Sequence, residues 1–151
     1  MPYVRNARNT SLCSDGSHLR GDITIRGRRY AMFSSGYAFT DIRGRILEAK
    51  GTNAPDAKSA EKDGVMALIN LAHDEDNLLI YTDCEYNLED LMYTDAGVQF
   101  RNIIDCRRGG TSVCWSPAHI GVNGPVDQAA KRAREERWQQ KVAALKRVRR
   151  S

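Results

Sequence analysis

Four acidic residues lie at positions where a carboxylate could belong to a binding site. Asp15 and Asp83 each close an apolar segment that predicts a β-strand, and Glu61 lies on a predicted amphipathic helix, on its apolar side. Asp127 lies in the first turn of the last predicted helix. A carboxylate at the end of a buried strand is costly to desolvate unless a positive charge compensates it. If the first and fourth strands are neighbours, Asp15, Asp83 and Glu61 meet at one edge of the sheet.

A group of this kind suits a divalent cation. Crowded carboxylates repel one another and take up protons unless a cation neutralises them. Oxygen ligands that leave room for water and phosphate are what Mg²⁺ prefers. Two such ions, about 3.5–4 Å apart, can stabilise the attacking and leaving oxygens of a phosphodiester. The alternative is that each acid is a separate helix cap or surface residue.

The hydrophobic pattern predicts an α/β domain with its elements in the order βββαβαβα. The predicted strands cover residues 10–15, 30–41, 45–51, 78–83 and 111–116. The predicted helices cover residues 57–72, residues 85–104 in one or two pieces, and the segment from Pro125 onward. Because the first three strands are joined consecutively, we expect them to be antiparallel. Residues 17–29 are expected to form a polar connection, within which Asp22–Ile25 can be locally extended.

Composition indicates an ordinary soluble globular protein. The chain has 151 residues, of which 41% are hydrophobic and 28% are charged, enough for one domain with a real core. No apolar segment resembles a membrane span or a secretory signal, so we expect an intracellular protein of the cytoplasm or nucleus, not secreted. The cysteines are expected to be reduced thiols and lack the CxxC spacing typical of zinc sites. They are Cys13, Cys84, Cys106 and Cys114.

The net charge of +4 conceals an asymmetry along the chain. Residues 131–151 hold nine Lys or Arg and two acids, whereas the first 130 residues hold fourteen basic and seventeen acidic residues. A basic tail on a slightly acidic body suggests a polyanionic partner, and the alternative is a solvated helix. We therefore predict an N-terminal extension (1–9), a folded domain (10–133) and a basic C-terminal helical tail (134–151).

Four segments of the chain resemble, in order, the four successive motifs of ribonuclease H. They are CSDGS (13–17), SAEKDGVMALI (59–69), IYTDCEY (80–86) and WSPAHIGVNGPVDQAAKRA (115–133). The resemblance covers about residues 10–133, and the element order matches as well. The last segment is especially similar to the ribonuclease H domains of retroelement polyproteins of the non-LTR kind.

The resemblance implies a ribonuclease H-like fold, with a five-stranded mixed sheet flanked by helices. It implies an endonuclease that hydrolyses the RNA strand of RNA–DNA hybrids with Mg²⁺ or Mn²⁺, by a two-metal mechanism. Asp15, Glu61, Asp83 and Asp127 would be the metal ligands, and His119 would assist proton transfer or product release. The rival interpretations are a non-catalytic nucleic-acid-binding domain and a nuclease acting on DNA.

The expected partner is an RNA–DNA hybrid or another duplex nucleic acid, and no membrane. Recognition should depend on phosphates and on the 2′-hydroxyls of the minor groove. The residues expected to contact nucleic acid are Gly16, Ser17, Arg28, Arg29, Lys131 and Arg132. We expect a monomer or a domain of a larger retroelement-type protein.

The last motif is two residues shorter than the usual ribonuclease H pattern. Asp127 lies eight positions after His119, where the pattern has an offset of ten. Two residues lost from a helix start rotate the rest of the helix by roughly 200° at 3.6 residues per turn. The direction of Asp127 therefore depends on where the helix begins, and a second ion would bind more weakly if Asp127 points away.

Overall fold

The computed structural model of the chain describes residues 8–83, 91–115 and 123–148. The elements in those segments are, in chain order, β1 (Asn9–Ile25), β2 (Arg28–Asp41), β3 (Ile46–Thr52), α1 (Ala57–Leu71), β4 (Asn77–Thr82), α2 (Val98–Cys106), β5 (Thr111–Trp115) and α3 (Asn123–Val148). A short 3-10 helix, Asp95–Gly97, precedes α2. No helix in the described segments is both long and apolar enough to cross a membrane.

The five strands form one mixed sheet in the order β3-β2-β1-β4-β5. Strands β1, β2 and β3 are antiparallel, whereas β4 lies parallel to β1 and β5 lies parallel to β4. This confirms the predicted architecture, including the antiparallel first three strands. The position of β1 between β2 and β4 matters most, because it makes the first and fourth strands neighbours.

The two faces of the sheet carry different side chains because residues alternate along each strand. Large apolar residues such as Leu12 and Phe39 face α1, where Val65 and Leu68 cover them. On the opposite face, the small sheet residues Cys13 and Ala38 pack against α3. They form a cluster with Val126, Ala129 and Ala130 of that helix. The small side chains allow α3 to lie close to the backbone of the sheet.

Strand β1 is much longer than predicted. It continues through residues 17–25, which were predicted as part of a polar connection, and pairs with β2 from Leu12–Asp41 to Ile25–Arg28. That prediction is wrong. The two strands are joined by Arg26 and Gly27, which both have positive φ, and two such residues suit the right-handed twist of a hairpin. The polar residues of the segment are tolerated because this end of the hairpin is largely exposed to solvent.

Helix α3 is continuous over 26 residues and begins at Asn123, two residues before the predicted start. Residue 134, where the basic tail was predicted to begin, lies inside it. Its second half packs on the extended hairpin: the Trp138 ring lies 3.4 Å from the position a Cβ would take on Gly21, and Lys141 Nζ donates to Phe33 O over 2.7 Å. The hairpin and the helix therefore support each other.

Arg107 joins the loops at the other end of the sheet. Its side chain is 4% exposed, and its guanidinium donates to His73 O (2.7 Å), Asp76 O (2.9 Å) and Thr111 Oγ1 (2.7 Å). Gly109 lies so close that a Cβ there would be 2.0 Å from Asp76 O. These contacts hold the segments before β4 and before β5 together, and thereby fix the position of β4 in the sheet.

We expect Arg107→Met to lower the free energy of unfolding by about 3 kcal/mol or more. The buried carbonyls would lose charged donors, each of which contributes roughly 1.5–3 kcal/mol. Urea unfolding followed by circular dichroism measures the change. The matched control is Arg108→Met: Arg108 is 72% exposed and pairs with Glu75, so its loss should cost less than about 1 kcal/mol. Equal losses in the two variants would contradict the assigned role of Arg107.

Candidate metal centre

Asp15 and Asp83 reach the same level of the sheet because β1 and β4 are parallel and in register. The last pair of this ladder is Cys13 opposite Tyr81, and two residues further along each chain come Asp15 and Asp83. Parallel strands bring residues at a constant offset side by side. The two acids were expected to be adjacent if these strands were neighbours, and the sheet order meets that condition.

Helix α1 brings Glu61 to the same place. Asp56 caps the helix, with Oδ1 accepting from Ser59 N over 2.7 Å, and the packing of its apolar positions turns Glu61 toward the sheet. Gly16 permits the approach, because a Cβ there would lie 2.3 Å from Glu61 N. Thr82 Oγ1 donates to Glu61 Oε2 over 3.1 Å and orients the carboxylate.

The three carboxylates converge on one point. One oxygen each of Asp15, Glu61 and Asp83 lies within 4.8 Å of the others. Asp15 is 3% exposed and Glu61 is 7% exposed, while Asp83 is partly exposed. Gly16 N donates to Asp15 Oδ1 over 2.8 Å and helps to orient this carboxylate. We refer to these three acids as the carboxylate triad.

The electrostatics of the triad favour a bound cation. Burial raises the pKa of Asp15, and its acidic neighbours Glu61, Asp83 and Asp127 raise it further. Burial also raises the pKa of Glu61, and the Asp83 charge adds to this effect. Two buried carboxylates in contact cannot both ionise cheaply, so a proton or a cation must neutralise part of their charge. Oxygen ligands with several negative charges fit a hard divalent ion such as Mg²⁺ or Mn²⁺.

Asp127 reaches the triad from α3 despite the shortened motif. It lies near enough to Asp15 to raise the pKa of that carboxyl, but it does not belong to the group of three acids that lie within 4.8 Å of one another. Its Oδ2 lies 3.1 Å from Lys131 Nζ, one turn later in the same helix. The direction of Asp127 is set by the packing of Val126 against the sheet, which fixes the rotation of the helix.

Of the other residues singled out in the sequence, two lie outside the described segments and two lie next to Asp15. His119 and Cys84 lie outside the described residues. Gly16 packs against the backbone of α1, and Ser17 Oγ accepts from Arg134 Nη1 over 3.1 Å. These two predicted nucleic-acid contacts thus adjoin the triad.

The four basic residues predicted to contact nucleic acid are spread over two distant regions. Lys131 and the exposed Arg132 lie near the start of α3. Arg28 and Arg29 lie at the far end of the hairpin, where Arg29 pairs with Asp22.

A group of cations that are distant in sequence lies before the N-terminus of α1. Arg20 Nη2 donates to Pro55 O, and Arg137 Nη2 donates to Asn53 Oδ1, each over 2.7 Å. Arg20 comes from β1 and Arg137 from α3, so two distant basic segments meet at residues 53–55.

Two further cations extend this group along α3. Arg134 donates to Ser17 Oγ, and Lys141 donates to Phe33 O, with its Nζ 4.3 Å from the Phe33 ring centroid. Each acceptor is neutral, so these contacts position the cations without cancelling their charge. We call Arg20, Arg134, Arg137 and Lys141 the cationic cluster. Sequence reasoning found only the basic character of both segments, since their contact depends on β1 continuing past Ser17.

Comparisons with known proteins agree with this geometry at the level of the fold. No protein-family model matches the chain, and no curated protein is similar to it in sequence. Among solved structures, it is similar to LC11 ribonuclease H1, isolated from compost by a metagenomic approach, with a TM-score of 0.62 and 13% sequence identity. The match covers 85% of this chain and 97% of that one. The chain has a ribonuclease H-like fold.

Proposed function

We propose that the protein is a divalent-metal-dependent endonuclease that hydrolyses the RNA strand of RNA–DNA hybrids. The observation that carries the proposal is the convergence of Asp15, Glu61 and Asp83 in a partly buried place. Acids in such a place destabilise the fold unless they bind something positive. The ribonuclease H-like fold supports the proposal, since it makes a nuclease the first function to test.

Each residue of the site has a separate part in this proposal. Asp15, Glu61 and Asp83 would hold the first ion, and Asp127 would join Asp15 in holding a second. A divalent cation there would supply Lewis-acid polarisation of a phosphoryl oxygen. Thr82 and the Gly16 amide keep the Glu61 and Asp15 carboxylates aimed. His119 is the proposed proton-transfer residue.

The cationic cluster supports a duplex nucleic acid as substrate. Arg134 lies seven residues after Asp127 on α3, about 10 Å along the helix, and Arg137 lies about 15 Å along it. Phosphates on one strand are about 3.4 Å apart along a duplex, so a strand lying over the triad would pass these cations within a few nucleotides. We propose that Arg28, Arg29 and Arg132 add further phosphate contacts.

The resemblance of residues 115–133 to retroelement sequences supports a more specific context. We propose that the chain serves as the ribonuclease H domain of a retroelement-type protein, beside a reverse transcriptase. Activity that appears only with such a partner would support this context, and full activity of the isolated chain would show that no partner is required.

We expect the chain to cut the RNA strand of a labelled RNA–DNA hybrid in Mg²⁺ or Mn²⁺, and Asp83→Asn to lose at least about 100-fold of the rate. Loss of a group that only orients a metal ligand typically lowers metal affinity or activity by about 10–100-fold. Loss of the ligand itself should lower the rate at least as much. The matched control is Asp105→Asn, an exposed acid on α2, which should retain the full rate.

A substrate panel separates the rival functions. Single-stranded RNA, duplex RNA and duplex DNA are tested beside the hybrid under the same conditions. Preferential cutting of DNA would indicate a DNA nuclease instead. Tight binding of hybrid without cutting in either metal would indicate a non-catalytic domain that binds through its cationic cluster.

We expect Mg²⁺ to stabilise the protein more at pH 8 than at pH 5. Because folding raises the pKa of Asp15 and Glu61, the metal-free protein loses stability as pH rises above the ordinary carboxyl pKa of about 4. At pH 8 a bound cation replaces the proton and restores that stability, whereas at pH 5 it must compete with the proton. Thermal unfolding with Mg²⁺ and with a chelator, at both pH values, measures the difference.

Removing one charge should mimic the cation. In chelator at pH 8, we expect Asp15→Asn to raise the free energy of unfolding by about 1–3 kcal/mol, since one pKa unit corresponds to 1.36 kcal/mol. Asp105→Asn should leave it nearly unchanged. A stability of Asp15→Asn below that of the wild type would show that the triad is not under electrostatic strain.

A further inference from the structure

Lys131 occupies the place where a second cation would neutralise Asp127. Its Nζ lies 3.1 Å from Asp127 Oδ2, and the Asp127 side chain is only 15% exposed. The pair spans four residues of α3, a spacing at which side chains of opposite charge meet along a helix. Asp127 therefore has the Lys131 ammonium as an ion-pair partner and the Asp15 carboxyl as an acidic neighbour.

The two sides of Asp15 differ in how their charge is compensated. On one side, Asp15 lies close to Glu61 and Asp83, which also lie close to each other, so three negative charges are brought together there. On the other side, Asp127 already has a positive partner supplied by the chain. A first divalent ion at the triad relieves repulsion, whereas a second ion at Asp127 must first break an existing ion pair.

We infer that Lys131 acts as a substitute cation at Asp127, so that a second divalent ion binds there only by displacing the Lys131 ammonium. The inference rests on the proposed function, because it concerns the second ion of the same site. Lys131 is a positioning residue here: it acts on the metal through Asp127. It lowers the affinity of the second ion and leaves the affinity of the first ion unchanged.

The exposure of Lys131 makes such a displacement feasible. Its side chain is 51% exposed, so the ammonium can move into water when an ion takes its place. A divalent ion would offer Asp127 twice the charge of an ammonium. The cost of displacement is modest, because an ion pair with one exposed partner contributes little to stability.

Titration calorimetry of the metal-free full chain with Mn²⁺ tests the inference without nucleic acid. For the wild type we expect a stronger first and a weaker second binding event. Lys131→Gln should strengthen the second event by about three- to tenfold and change the first by less than about twofold. Lys131→Arg, which keeps the charge, should behave as the wild type does.

Two controls separate a direct effect through Asp127 from a general change of charge. Arg132→Gln removes the same charge one residue away, on a different side of the helix, and should change the second event by less than about twofold. In an Asp127→Asn background, Lys131→Gln should have no effect on the remaining Mn²⁺ binding. Circular dichroism of each variant confirms that α3 is intact.

The outcomes distinguish this inference from the proposed function. If neither the wild type nor Lys131→Gln binds Mn²⁺, the metal-dependent function and this inference both fail. If one ion binds at the triad and Lys131→Gln neither strengthens nor reveals a second event, the inference alone is overturned. It is also overturned if Lys131→Gln strengthens both events equally or acts without Asp127. A second event that appears only in Lys131→Gln supports it.

Discussion

The parallel pairing of β1 with β4 is the constraint on which the rest of the structure depends. It places Asp15 and Asp83 at one level, two residues beyond the last ladder pair. Helix α1 then packs against the exposed backbone of Gly16 and adds Glu61 to the same point. None of the three acids would be costly in water. Their free-energy cost arises because they are brought together in a partly buried place, and a bound cation would lower that cost.

Acidic and basic residues are segregated along β1 and α3. The triad is acidic, whereas the cationic cluster lies further along β1 and α3, beyond Ser17. The β1–β2 hairpin and the second half of α3 support each other through Trp138 and Lys141. The extended hairpin therefore has two consequences: it stabilises the second half of α3, and it brings basic residues of separate chain segments close together.

Much of the fold was predictable because hydrophobic periodicity and turn residues are local signals. Strands β3, β4 and β5 and helix α1 lie close to where the pattern placed them. The extent of β1 was missed because residues 17–25 are polar and carry no strong alternation. They pair because β2 lies opposite them and the Arg26–Gly27 turn aligns the two strands, an effect that acts between chain segments. The start of α3 was missed by two residues, which is within the range over which helix ends are usually ambiguous.

The sequence by itself determined the element order, the antiparallel first three strands and the identity of the acids that end strands or lie on a helix face, because these depend on residue type and spacing. The tertiary structure decided which of those acids meet. It joined Asp15, Glu61 and Asp83 in one triad, and it placed Asp127 beside both Asp15 and Lys131. It also brought Arg20 and Arg137 to residues 53–55. These outcomes depend on strand order, helix rotation and contacts between residues more than 100 positions apart, and electrostatic cost is set by such distances and by burial, which no local pattern encodes.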